Sequence, residues 1–167
     1  MSEIKAIPTR YKGCHFRSRL EARWAVFFDS MGWFWTYETE GYHLPRLGGR
    51  YYLPDFSVKP PNTRLLIEIK PHTTLALEDV IADDQPIWNL LDIVLSESPQ
   101  TQQPAVFYGD PGDFMLLAPH YNATPNDLFT FKRIRYETAF SYSKSTFVLA
   151  AMAARSARFE HGESGAT

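Results

Sequence analysis

The sequence predicts an α/β domain built on a central mixed β-sheet flanked by α-helices. Three observations carry that expectation: an apolar stripe at helical spacing between Arg19 and Met31, short runs rich in β-formers from Tyr51 onward, and enough apolar residues for one core. With 44% of 167 residues hydrophobic and 15% aromatic, one substantial core is expected. A single domain over residues 1–160 follows, with a disordered tail at 161–167.

The first element is the clearest. "FRSRLEARWAVFFDSMGW" sets Leu20, Trp24, Phe27, Phe28 and Met31 at helical spacing and places Gly32 as a stop, so a helix over Arg19–Met31 is expected. Glu21 lies one position off that stripe, on its flank. Ser18 and Glu21 also stand at capping-box spacing, in which the carboxylate only satisfies a backbone donor, so two roles for Glu21 stay open. The aromatic run "WFWTYETEGYHL" leads into the first core strand. Trp35 and Tyr37 alternate there with polar residues, which favours core packing over a base-stacking surface.

Two strands follow. "YYLPDFSV" (Tyr51 to Val58) and "LLIEIK" (Leu65 to Lys70) are short, apolar and separated by "KPPNTR", as neighbouring strands of a hairpin would be. Pro54 cannot donate to a ladder, so a bulge there is expected to aim the next side chain, Asp55. Beyond the loop Pro71–Thr74, Leu75–Glu97 predicts a helical region broken near Pro86, with Ile87, Leu90, Leu91 and Val94 on one face. "PAVFYGDPGDFMLLAPH" predicts a strand, a turn and a strand, and Leu128–Tyr136 a further strand. From Ser145 the spacing of Phe147, Ala151 and Ala154 predicts a last helix stopped by Gly162. Arg155 and Arg158 share another face of it. Packing on the sheet is favoured over a phosphate-gripping arm.

The two strands carry the chemistry. Side chains two apart share a strand face, which puts Glu68 and Lys70 on one side and Ile67 and Ile69 on the other, in the core. The hairpin can bring Asp55 to the polar face. Two carboxylates and an ammonium then converge at one end of a sheet. Magnesium or manganese prefers oxygen ligands and keeps several waters, so Asp55, Glu68, the Ile69 backbone carbonyl and a substrate phosphate suit such an ion. Lys70 is placed to orient or deprotonate the attacking water, while the metal offsets charge on the phosphate. The chemistry expected is hydrolysis of a phosphodiester.

These residues carry a resemblance. "FRSRLEARWAVFFDSMGWFWTYETEGYHL", "YYLPDFSV" and "LLIEIKP" together resemble the PD-(D/E)xK nuclease superfamily, and within it phage endonuclease I type Holliday-junction resolvases and transposon-end endonuclease subunits. The likeness covers roughly residues 10–72, and the ending "AARSARFEHGE" is similar to phage- and plasmid-associated members. It implies a restriction-endonuclease-like core and a Mg2+- or Mn2+-dependent endonuclease. By the same resemblance Asp55 and Glu68 are the metal-binding acids, Lys70 is the catalytic lysine, and Glu21 completes the metal shell or positions a water. The partner implied is DNA, with a homodimer and a phage or mobile-element protein as further partners. The resemblance does not transfer the substrate, since this superfamily holds restriction, resolving, exonucleolytic and repair enzymes on one core.

Charge refines the picture. The net charge of -2 hides a segregation: residues 1–23 and 132–158 are each rich in lysine and arginine, while Glu78–Glu97 holds six acids and no base. Local positive faces bind phosphates even on an acidic protein. Lys12, Arg17 and Arg19 adjoin the start of the Glu21 helix and are the expected nucleic-acid contacts. No base-reading module is recognisable, so selectivity by shape is expected. The single cysteine, Cys14, excludes an intrachain disulfide and a cysteine-rich zinc site, and the five histidines show no zinc-ligand spacing. There is no phosphate-cradling glycine loop. No run is long enough to span a membrane and "MSEIKAIPTR" lacks an apolar signal core, so a cytoplasmic location, bacterial or in a phage-infected host, is expected.

Overall fold

The structure, a computed structural model, describes residues 6–73, 79, 85–97, 102–119, 129–134 and 144–159. The chain opens with a hairpin, β1 (Thr9–Tyr11) and β2 (Cys14–Phe16), which sequence inspection did not anticipate. Its two-residue turn has positive φ at both Lys12 (47°) and Gly13 (76°), the geometry that matches the twist of the flanking strands.

Helix α1 (Arg19–Ser30) follows, as its periodicity requires. It ends on Met31 and Gly32, where Gly32 takes φ +70° and donates to the Asp29 carbonyl while the Trp33 N–H reaches the Phe28 carbonyl. Those bonds satisfy the last orphan carbonyls, and a residue with a side chain would be strained at Gly32.

The central sheet has six strands in the order β10 (Phe129–Ile134), β9 (Asp113–Pro119), β8 (Gln102–Asp110), β7 (Arg64–Lys70), β6 (Phe56–Lys59) and β3 (Phe34–Tyr37). β7 and β8 run parallel and every other pair is antiparallel, so the sheet is mixed. A parallel pair needs a crossover, and α2 (Gln85–Glu97) lies within it. The last helix, α3 (Lys144–Ser156), packs beside α1.

The central strands β7 and β8 are buried on both faces. On one, α1 and α3 meet Ile67, Ile69, Phe107 and Phe114; Trp24 is fully enclosed there, with Phe27, Phe28, Phe107 and Phe114 against its indole. The Trp24 Nε1 proton goes to the Gly109 carbonyl at 2.9 Å. On the other face Ile87, Leu90, Ile93 and Val94 of α2 cover Leu66, Val106 and Leu117. Burial on both sides explains why "LLIEIK" reads as a nearly continuous apolar run.

Three expectations are corrected. Tyr51–Val58 is not one bulged strand: β5 (Arg50–Tyr52) pairs with β4 (Tyr42–Leu44) in a separate two-stranded sheet, and β6 belongs to the central one. Leu53, Pro54 and Asp55 form the break between them, because Pro54 ends the ladder rather than bulging it. Pro86 sits in the first turn of α2, where a missing N–H costs nothing, and apart from Asp79 the part of the expected helical region before Gln85 lies outside the described residues. Helix α3 stops at Ser156, ahead of Gly162. Leu91 is half-buried, and Ile93 takes its place on the covered face.

Gly162, the 161–167 tail and most of the acidic stretch before Gln85 lie outside the described residues. No helix among those described is long and apolar enough to cross a membrane.

Candidate active site

The site forms where the two sheets part. Asp55 sits at the break ahead of β6, and Glu68 and Lys70 lie two apart at the C-terminal end of β7. Ile67 and Ile69 point into the α1 side of the core, as strand alternation requires, while Glu68 shares the opposite face with Leu66.

Asp55 is almost fully enclosed, at 2% exposure. Its Oδ2 accepts the Ile69 backbone N–H at 2.8 Å, which replaces a ladder bond that β6 does not extend far enough to make. Its Oδ1 accepts from Arg17 Nη2 at 2.5 Å. Burial, and then the neighbouring Glu68 charge, push Asp55 up to about 7; Glu21 adds to the rise, and the Ile69 N–H and Arg17 oppose it. At neutral pH this carboxyl is therefore poised between its two protonation states.

Glu68 is also buried, with both oxygens held. Tyr52 donates its hydroxyl to Oε2 at 2.6 Å, and Lys70 its ammonium to Oε1 at 2.9 Å. Lys70 remains partly open to solvent. Asp55, at the break, and Glu68 and Lys70, on β7, thus come to one end of the sheet.

Glu21 comes to the same region, bonded as a helix cap. Ser18 accepts the Glu21 N–H at 3.2 Å and donates its hydroxyl to Oε1 at 2.7 Å. Oε2 accepts the Arg17 N–H at 3.1 Å and the Tyr37 hydroxyl at 2.5 Å. The reciprocal bond of this capping box thus goes to the residue before the cap. Burial, then the bond to Glu21, hold Tyr37 above the ordinary phenol range, so it remains a donor. The influence of Glu21 on Asp55 places it close enough to contribute charge to the site.

The basic residues at the start of α1 are all exposed. Arg17, exposed as a nucleic-acid contact would need to be, also bridges Asp55 and Glu38, the latter at 2.8 Å from its Nε. Lys12 pairs with Asp29 at 3.0 Å and lies over the Tyr11 ring. Arg19 is exposed and lines a cleft with other arginines.

Three members of the site were missed. Tyr52 belonged to the misassigned strand, and Tyr37 looked like packing alone. Glu38 holds φ at +44°, an uncommon conformation for a residue with a side chain, while its N–H binds the Asp55 carbonyl. Such backbone outliers concentrate at functional sites.

Among the described residues no three acidic, histidine or cysteine side chains stand together as a ready-made metal cage. A small hard cation does not need one, since Mg2+ is commonly held by one or two carboxylates with water and substrate phosphate. Asp55 and Glu68, crowded enough that each opposes the other's charge, are chemically suited to share such an ion. Comparison with protein-family models, with curated proteins and with solved structures finds no match to this chain.

Proposed function

We propose that this chain is a divalent-cation-dependent deoxyribonuclease of the PD-(D/E)xK kind, with a restriction-endonuclease-like core and selectivity for DNA shape: a junction, a flap or an end. A phage or mobile genetic element, acting in the host cytoplasm, is the setting this reading favours. The observation that carries it is the convergence of buried Asp55 and Glu68 with half-open Lys70 at one end of the sheet, with Asp55 raised to about 7 by burial and by Glu68.

In this reading Asp55, Glu68 and the Ile69 carbonyl hold Mg2+ or Mn2+. A strand residue's N–H and C=O leave the same edge, so the Ile69 carbonyl is directed to the edge where its N–H already meets Asp55. When bound, the cation supplies Lewis-acid stabilisation of the charge on the phosphate. Lys70 orients the attacking water and exchanges its proton, and Tyr52 fixes the Glu68 carboxylate through Oε2. Glu21 and Tyr37 position the start of α1, and with it Arg17 beside Asp55.

The test is cleavage of linear duplex, single-strand, flap and four-way-junction DNA in Mg2+ or Mn2+. Wild type is expected to cut at least one of these, and Asp55→Ala and Lys70→Ala to lose roughly 10²- to 10⁴-fold in rate. No cleavage of any substrate, or equal cleavage by the variants, overturns the mechanism.

One observation favours a second reading. The Asp55 carboxylate already has a counter-ion in Arg17, as it would in a nuclease-fold component that binds DNA or a transposition or packaging partner and is inactive alone. Tight binding without cleavage, restored to cleavage by no divalent ion, would select that reading.

A further inference from the structure

The two basic segments of the sequence meet in space. Arg19 and Arg23, one turn apart on α1, face Arg155 at the end of α3 and Arg158 just beyond it across a cleft of about 730 Å³. Ser156, Ala157 and Phe159 complete its described lining, which includes no acid. Buried Phe159 meets the edge of Tyr11, and the Ala157 N–H binds the Ala153 carbonyl at 3.0 Å, so the segment carrying Arg158 is fixed against the body.

The charges in the cleft are mostly uncompensated. Arg23 is tethered through Nη1 to Asp110 at 2.7 Å, yet its buried Nε has no acceptor among the described residues. Arg19, Arg155 and Arg158 are exposed and have no carboxylate partner among the described residues. Four guanidinium groups, with Asp110 on Arg23 the one carboxylate paired to them among the described residues, repel one another, and a concave arrangement of this kind focuses positive potential. Guanidinium forks match the paired oxygens of phosphate.

We propose that this four-arginine cleft binds consecutive backbone phosphates of a nucleic-acid strand, as a docking site separate from the Asp55 and Glu68 centre. Arg19 and Arg23 lie about 200° around α1 from Glu21, at 100° per residue, so the strand in the cleft passes the flank of the helix opposite that acid. The site anchors the strand and reads no bases. It rests on the reading that the chain handles nucleic acid, and does not require that the chain cut it.

The test is fluorescence anisotropy of labelled 20-mer duplex and single-stranded DNA in EDTA between 50 and 200 mM salt, with inorganic tripolyphosphate as a separate competitor. Arg155→Gln/Arg158→Gln is expected to weaken binding at least roughly tenfold at 50 mM salt, and to make the plot of log affinity against log salt shallower by about 2 for duplex. Arg19→Gln, on the other wall, is expected to lower the slope by about 1. Circular dichroism melts show whether each variant is folded, and Arg155→Lys/Arg158→Lys should recover most of the slope.

Unchanged affinity and slope in folded variants would overturn the cleft assignment. So would wild type that binds tripolyphosphate but neither oligonucleotide. A wild type that shows the slope difference yet cuts nothing upholds the cleft and sinks the nuclease reading; cleavage accompanied by variant binding identical to wild type does the reverse.

Discussion

Replacing Asp55 by asparagine should change the way stability depends on pH. In the folded chain this carboxyl is raised from 3.8 to about 7, by burial first and by Glu68 second. Between those values the folded state keeps a proton that the unfolded state has released, so stability falls as pH rises, by about 1.4 kcal/mol per pH unit. From pH 4.5 to pH 8 the accumulated loss is roughly 3 kcal/mol, a large part of the 5–15 kcal/mol typical of a domain. The amide introduced by Asp55→Asn cannot ionise, and its oxygen can still accept the Ile69 N–H, while Arg17 is exposed enough to be hydrated instead. The variant should therefore gain roughly 3 kcal/mol on wild type across that range. Urea titrations followed by tryptophan fluorescence at half-unit pH steps measure it, with the buried indole of Trp24 as a reporter. Adding Mn2+ at 100 times its Kd should return about 2.7 kcal/mol to wild type at pH 8 and nothing to the variant. Parallel pH profiles for the two proteins would refute the account of Asp55, and equal stabilisation by Mn2+ would refute its role as a ligand.

Glu21→Ala removes the acceptor for Tyr37, Ser18 and the Arg17 N–H and should cost about 2–3 kcal/mol, read as a lowered Tm, while Glu21→Gln recovers part of it. A cost below about 0.5 kcal/mol would mean that the cap is not the main contribution of Glu21. Trp24→Phe loses the bond to the Gly109 carbonyl and leaves space among four rings, and should cost about 2 kcal/mol in chemical denaturation. At Gly109, with φ +111°, an added Cβ would stand 2.9 Å from the Asp113 carbonyl oxygen. Gly109→Ala should destabilise by about 2 kcal/mol or more, checked in the same titrations.

What was legible in the sequence follows from local physics. The helix of Arg19–Ser30 was visible because one apolar stripe and one glycine stop define it, and β7 because its β-formers run unbroken. Asp55, Glu68 and Lys70 converge because strand alternation and a short connection leave them few other places. What was hidden depends on nonlocal geometry. The change of sheet at Pro54 sends Tyr51 and Tyr52 to pair with His43 and Tyr42, and no periodicity within "YYLPDFSV" distinguishes that from a bulge. The Arg17 bridge to Asp55 was hidden because the burial of Asp55 beside it cannot be read locally. The meeting of Arg155 and Arg158 with Arg19 and Arg23 was hidden as well, since it joins positions more than a hundred residues apart.

The Arg17 bridge has a thermodynamic corollary. On the proposed function, a cation reaching Asp55 would compete with the Arg17 guanidinium bonded to its Oδ1, so the apparent affinity for the ion would be the difference between two electrostatic attachments. Once displaced, that exposed guanidinium, still held by Glu38 through Nε, would have its Nη2 open to an anionic ligand at the same mouth. Whatever factor an anion bound by Arg17 contributes to the affinity for the cation, the cation must return to the affinity for the anion. On the proposed function, each ligand would then act as the other's effector through one side chain.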